Sequence, residues 1–240
     1  MTSKRLLGLF ITGTDTDVGK TYVGALIARQ LHAVGHRVGV YKPAASGCRE
    51  DRGEIVSDDA LALWRAAGSP GELDQVCPQR FLAPLAPHLA ARAEGRTLDE
   101  DLLVSGLDYW IDRSDVLIVE GAGGLLSPLG DEYYVADLAR ECGFPLIVVA
   151  RNTIGVINQT LQTLVTAATF RQGLDVAGVI LNSRDERPHD PSLASNRNEI
   201  SRRALAPVLA CVEHGGQDFS EEVDWASVAG PRRAVVRTEV

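Results

Sequence analysis

Residues Gly13-Thr14-Asp15-Thr16-Asp17-Val18-Gly19-Lys20-Thr21 are the part of the chain best equipped for chemistry. They follow the apolar run Leu6-Leu7-Gly8-Leu9-Phe10-Ile11 and precede a stretch with helical spacing. A strand that enters such a loop and leaves as a helix turns several backbone N–H groups toward one point. The helix N-terminus adds partial positive charge there. Lys20 supplies a full charge, and the Thr21 hydroxyl can ligate a magnesium ion. The combination suits a nucleoside triphosphate. The spacing departs from the common phosphate-loop pattern, whose first glycine would fall at Thr14. Gly13 stands one residue earlier, so the form is G-x5-G-K-T.

Other chemical groups follow strand-like runs. Glu120 ends Val116-Leu117-Ile118-Val119, and a carboxylate after so apolar a run needs a partner. Asp59 stands beside Asp58 at the start of a helical segment, where acidic residues are also favourable on dipole grounds alone. Magnesium prefers oxygen ligands and keeps some waters. Thr21, Asp59 and Glu120, from separate segments, fit that preference. Lys42 follows the strand-like Val38-Gly39-Val40-Tyr41. Pro43 biases Lys42 to an extended backbone, which aims its side chain across the strand ends. A solvated surface lysine is the plain alternative, but Ser46 and Gly47 in the adjoining loop favour a functional role. Gly121, Ala122, Gly123 and Gly124 allow a ligand close to the backbone. Glycine-rich turns also follow strands for steric reasons alone.

These residues need a scaffold, and the chain alternates strand-like and helix-like segments almost throughout. Helical spacing covers 20–33, 58–67, 98–111, 133–142, 156–171 and 195–203. Strands are expected at 6–11, 38–41, 116–119, 145–150, 176–181 and, weakly, 207–212. Residues 47–57 and 183–193 read as polar loops, the first of them mobile, and 72–96 as irregular. This rhythm predicts an α/β fold, a mostly parallel sheet of about seven strands with helices on both faces. Ligands of such sheets bind beyond the carboxyl ends of the strands. The 240 residues suit a single domain, with a tail frayed after about residue 229. A net charge of -8 argues against a nucleic-acid surface. No apolar stretch is long enough to span a bilayer, and residues 1–5 lead into a strand without a secretory cleavage site. Cys48, Cys77, Cys142 and Cys211 are scattered, as in a cytoplasmic protein with reduced thiols.

The strings GTDTDVGKT, YKPAASG, SDDALAL, LAPLAPHLAA, VLIVEGAGG and GVIN occur in one order. Together they resemble the dethiobiotin synthetase family, ATP-dependent ligases of biotin biosynthesis, over residues 5–212. The shifted first glycine is the form that family uses. The resemblance implies a P-loop NTPase-type fold with ATP as co-substrate and magnesium as cofactor. It implies a reaction in which 7,8-diaminopelargonic acid and carbon dioxide give dethiobiotin through a carbamate and a carbamic–phosphoric anhydride. Lys20, Lys42 and Ser46 would be catalytic, and Thr21, Asp59 and Glu120 would hold magnesium. Residues 13–21 with Asp59, Glu120, Gly121, Gly123, Asn182 and Glu213 would bind the nucleotide. Thr16, Lys42 and Ser46 would meet the substrate. Gly155, Val156, Ile157 and Asn158, at a helix start, would bind the substrate carboxylate from the partner subunit of a homodimer. His88 reads as structural.

The stretch Pro207–His214 departs from the family pattern, which has glycine at Ala210 and proline at Glu213. Preference for the adenine base is the expectation this puts in doubt. Larger amide-forming ligases carry a glutaminase domain for which this chain has no room. Partitioning ATPases place a lysine early in the phosphate loop, where Thr14, Asp15 and Thr16 stand. A regulator that has lost catalysis is disfavoured by the retained Lys20, Lys42, Asp59 and Glu120.

Overall fold

A computed structural model describes residues 6–183 and 190–233. The strands are β1 (Leu7–Gly13), β2 (Val38–Tyr41), β3 (Ala44–Ala45), β4 (Arg49–Asp51), β5 (Glu54–Val56), β6 (Gln79–Arg80), β7 (Val116–Gly124), β8 (Leu146–Arg151), β9 (Val176–Asn182), β10 (Val208–Val212) and β11 (Gly230–Pro231). The helices are α1 (Lys20–Ala33), α2 (Asp58–Ala66), α3 (Leu73–Val76), α4 (Pro87–Ala93), α5 (Glu100–Ser105), α6 (Val135–Cys142), α7 (Val156–Thr169), α8 (Leu193–Ser201) and α9 (Trp225–Val228).

The main sheet has seven strands. Six run in the order β10-β9-β8-β1-β7-β2, all parallel, and β11 adds antiparallel to β1. Continuous apolar runs such as those of β1, β7 and β8 belong in a sheet covered on both faces. Leu9, Phe10, Ile11, Val116–Val119 and Ile147–Val149 are accordingly buried. β1 is central, between β7 and β8, so its carboxyl end faces the middle of the sheet rim.

Local chemistry sets where the elements stop. Ser57 caps α2, its hydroxyl accepting from the Ala60 N–H at 3.2 Å. Asp99 does the same for α5, accepting from the Leu102 N–H at 2.9 Å. The helix expected over 98–111 therefore starts later, and it passes into a 3-10 turn over Gly106–Trp110. A Cβ at Gly106 would lie 2.1 Å from the Tyr41 hydroxyl, so Tyr41 seats against this bare turn.

Three expectations change. Residues 47–57, expected as a mobile loop, contain the antiparallel hairpin β4–β5, turned at Arg52 and Gly53 with φ of 53° and 86°. The stretch 72–96, expected irregular, contains α3, β6 and α4, with β6 pairing parallel to β3. Residues 230–233, expected in a frayed tail, are tied down: Leu7 pairs with Pro231 and Gly8 with Gly230, and the Arg233 N–H donates to Gly143 O at 2.8 Å. The rest of that tail, 234–240, the N-terminal residues 1–5 and most of the loop expected at 183–193 lie outside the described residues. All four cysteines are free thiols.

Candidate active site

β1 delivers the phosphate-loop residues to the sheet rim. The Thr14 N–H donates to Val149 O of β8 at 2.9 Å, which fixes the exit from β1. Thr16 N–H then donates to the Asp15 carboxylate at 2.7 Å. The Lys20 ammonium folds back to donate to Asp15 O at 3.1 Å, so the loop wraps its own lysine. Asp17 takes a left-handed φ of 65°, and its carbonyl accepts from Arg151 at 3.2 Å.

Gly19 closes the loop at φ 95°. A Cβ there would lie 2.1 Å from the Asn182 amide nitrogen. That nitrogen donates to Val18 O at 2.9 Å, clamping the end of β9 over the loop. The glycine is required twice, by backbone conformation and by this close approach.

A charged cluster lies beside the loop. Glu120, 1% exposed, is carried to the rim by β7. Its Oε1 accepts from the Thr21 hydroxyl at 2.8 Å and from the Lys42 ammonium at 2.5 Å. Its Oε2 is buried and, among the described residues, has no hydrogen-bond partner. Lys42 also pairs with Asp59 at 2.9 Å. Burial alone would lower the Lys42 pKa, but Glu120 and Asp59 outweigh it and the net direction is upward. Burial would raise the Asp59 carboxyl, yet the Lys42 ammonium wins and holds it below its ordinary value. Lys20 moves the other way. Burial lowers it, Lys42 adds to that, and the attraction of Glu120 does not make up the difference.

These groups share a cleft of about 560 Å3. Thr16, Asp17, Gly19, Lys20 and Thr21 line it from the loop, Lys42, Ser46 and Asp59 from one side, and Glu120 and Gly123 from β7. Asn182 and Glu213 also line it. Gly13, Thr14, Asp15, Val18 and Gly121 shape the walls without lining the cleft. Gly155–Asn158 do not reach it within this chain. They open α7, and Val156 is buried against Val148, Ala150 and Val179.

The sequence reading missed Tyr22, Ala44, Ala45, Ser183, His214 and Gly215, which also line the cleft. Each adjoins or lies near a residue that was identified, so adjacency was the available signal. Tyr22 has a further role without short-range signal. Its hydroxyl donates to Gly216 O, and Arg29 donates to Gln217 O, so α1 anchors the segment after β10 at the base of the cleft.

Comparison with known proteins decides the family. The AAA domain family matches residues 7–217. An ATP-dependent dethiobiotin synthetase BioD of Rhodopirellula baltica is 43% identical over 215 residues, covering 85% of this chain and 82% of that protein. The chain belongs to the dethiobiotin synthetase family. Family members of the same printed name from Anaeromyxobacter dehalogenans and Bacillus cereus are 44% and 38% identical. They cover 85% and 90% of this chain, and 88% and 86% of their own lengths. Among solved structures, the signal recognition particle receptor FtsY of Elizabethkingia anophelis, in complex with GDP, superposes with a TM-score of 0.57 at 18% identity. It covers 95% of this chain, which spans 64% of FtsY, and the likeness is one of fold. The expected α/β architecture of the family is thereby met. Among the described residues no helix is long and apolar enough to cross a membrane.

Proposed function

We propose that this chain is an ATP-dependent dethiobiotin synthetase that works as a single domain. Its substrates are then 7,8-diaminopelargonic acid, carbon dioxide and ATP. One observation carries the proposal: Lys20, Lys42, Thr21, Ser46, Asp59 and Glu120 converge on one cleft in a member of this family.

The reaction begins when one substrate amine adds to carbon dioxide and loses a proton, giving a carbamate. A carbamate oxygen attacks the ATP γ-phosphorus, the bond to the bridging oxygen breaks, and ADP leaves. The second amine attacks the carbonyl of the mixed anhydride, loses a proton and expels phosphate, closing the cyclic urea. Phosphoryl transfer asks the protein for position and charge neutralisation more than for covalent help. Lys20, wrapped by the loop, meets the β- and γ-phosphates. The loop N–H groups and the start of α1 add partial positive charge. Lys42 stabilises the carbamate and the transferring phosphoryl group, and Ser46, beside it on the lining, donates to them.

The donor set fits magnesium. Among the described residues no group of three or more His, Cys, Asp or Glu side chains gathers as a metal site. Here two carboxylates and a hydroxyl stand together, one carboxylate oxygen is buried with no partner among the described residues, and the neighbouring space would hold phosphate oxygens. Such a mixed set suits an ion that keeps waters and takes phosphate ligands. Thr21, Asp59 and Glu120 would hold it, and it would supply charge neutralisation at the phosphates.

Asn182 and Glu213 would meet the nucleotide base. Gly155–Asn158 would serve the neighbouring subunit of a homodimer, since a helix N-terminus suits a carboxylate. Magnesium, the homodimer and a cytoplasmic location, without nucleic-acid or membrane partners, belong to the same proposal. The test is phosphate release from ATP and magnesium with bicarbonate, with and without the diamine. Release that needs both diamine and bicarbonate is expected. Release independent of the diamine would defeat the substrate assignment.

A further inference from the structure

Lys42 occupies the oxygens that the proposed metal set offers. Its ammonium is 2.5 Å from Glu120 Oε1 and 2.9 Å from Asp59 Oδ2. The same Glu120 Oε1 also accepts from Thr21 at 2.8 Å. Two hydrogen bonds use both lone pairs of that oxygen. The Lys42 side chain is 6% exposed, so solvent does little to dilute the attraction. Its backbone is fixed as well, the Lys42 N–H donating to Val76 O at 2.7 Å. A cation bound by Thr21, Asp59 and Glu120 would meet this ammonium on shared oxygens, with like charge against like charge.

We propose that Lys42 serves as the counter-ion of Asp59 and Glu120, and that it leaves them when a divalent cation binds. Lys42 bonds the two carboxylates directly and Lys20 attracts them through space, so the exchange is driven by the doubled charge that a divalent ion brings to the same oxygens. Glu120 Oε2, buried and without a hydrogen-bond partner among the described residues, gives that ion an acceptor that Lys42 does not use. Once released, the ammonium remains in the cleft with Ser46, its neighbour on the lining. Metal loading and presentation of Lys42 to the substrate are then one event.

The inference rests on Thr21, Asp59 and Glu120 as the metal set, and the test separates the two. Manganese binding is measured by electron paramagnetic resonance, without nucleotide or diamine, so the readout is occupancy and not turnover. Lys42→Met removes the competing ammonium and is expected to bind manganese at least about tenfold tighter than the unaltered protein. Lys42→Gln, neutral but still able to donate to Glu120, is expected to fall between them, and it serves if the methionine variant does not fold. Glu120→Gln is expected to weaken binding. Unchanged or weaker binding in both Lys42 variants, with Glu120→Gln still sensitive, overturns the counter-ion role alone. Binding indifferent to Glu120→Gln overturns the metal set and this inference with it.

Discussion

Gly19→Ala tests how the loop and β9 are locked together. The glycine sits at φ 95°, and a Cβ would lie 2.1 Å from the Asn182 amide nitrogen. A left-handed conformation costs a residue with a Cβ roughly 1–2 kcal/mol. The methyl also evicts Asn182, which is 3% exposed and donates to Val18 O. Leaving those buried groups unpaired costs about another 1–3 kcal/mol. The sum is about 2–5 kcal/mol, which in a domain of this size lowers Tm by roughly 4–20 °C. Thermal melting of Gly19→Ala, Asn182→Ala and the double variant forms a cycle. Removing Asn182 makes room for the methyl, so the double variant is expected to be more stable than additivity predicts by about 1 kcal/mol or more. Titration with a fluorescent ATP analogue is expected to show weaker binding for Gly19→Ala, because the loop N–H groups no longer converge. Strict additivity in the cycle, or a Gly19→Ala melt matching the unaltered protein, would refute the reasoning.

Lys20→Gln is expected to lower turnover at least about a hundredfold with the fold intact, since it removes the charge aimed at the phosphates; near-normal steady-state phosphate release would remove Lys20 from that role. Asp59 gives a pH signature. Its carboxyl is held below the ordinary value of 3.8 because Lys42 outweighs burial, so its charged form favours the folded state. That contribution is complete above 3.8 and is lost as pH falls through the lower folded value. Acid melts of Asp59→Asn are expected to lack this part of the loss, and a parallel acid limb would count against the pairing. Asp137, 2% exposed, accepts from the Tyr134 N–H at 3.1 Å and from Arg171 at 2.6 Å. Arg171→Ala strands that carboxylate and is expected to cost about 3 kcal/mol in urea unfolding. A cost below about 1 kcal/mol would mean that solvent already screens the pair.

Much of the scaffold was legible because it depends on burial. Val116–Val119 and Leu146–Ala150 are apolar without interruption, as strands buried on both faces must be. The phosphate loop announced itself by Gly-Lys-Thr between a strand and a helix. The hairpin β4–β5 was not legible. Arg49, Glu50, Asp51 and Glu54 are exposed and carry no alternation, and its turn uses Arg52 at positive φ where asparagine or glycine would have been a signal. The short strand β11 escaped notice because Gly230-Pro231 has no strand propensity and pairs only because β1 offers an edge there. In the site, Lys42, Asp59 and Glu120 were each named from their position in the sequence, but their mutual pairing was not. That pairing depends on strand order, and periodicity does not carry strand order. The anchoring of Gly216 and Gln217 by α1 was hidden for the same reason.

The central place of β1 has a consequence for synthesis. β1 precedes all its sheet partners in the chain, and the nearest of them, β7, begins at Val116. A growing polypeptide therefore emerges with its phosphate loop complete but with no neighbouring strand to hold it in shape. Contacts so distant in sequence form slowly. The apolar run Leu9-Phe10-Ile11, buried in the finished molecule, lacks its strand neighbours until β7 and β8 arrive. It is in that interval, more than in the mature protein, that this segment is open to chaperones or to misassociation with other chains.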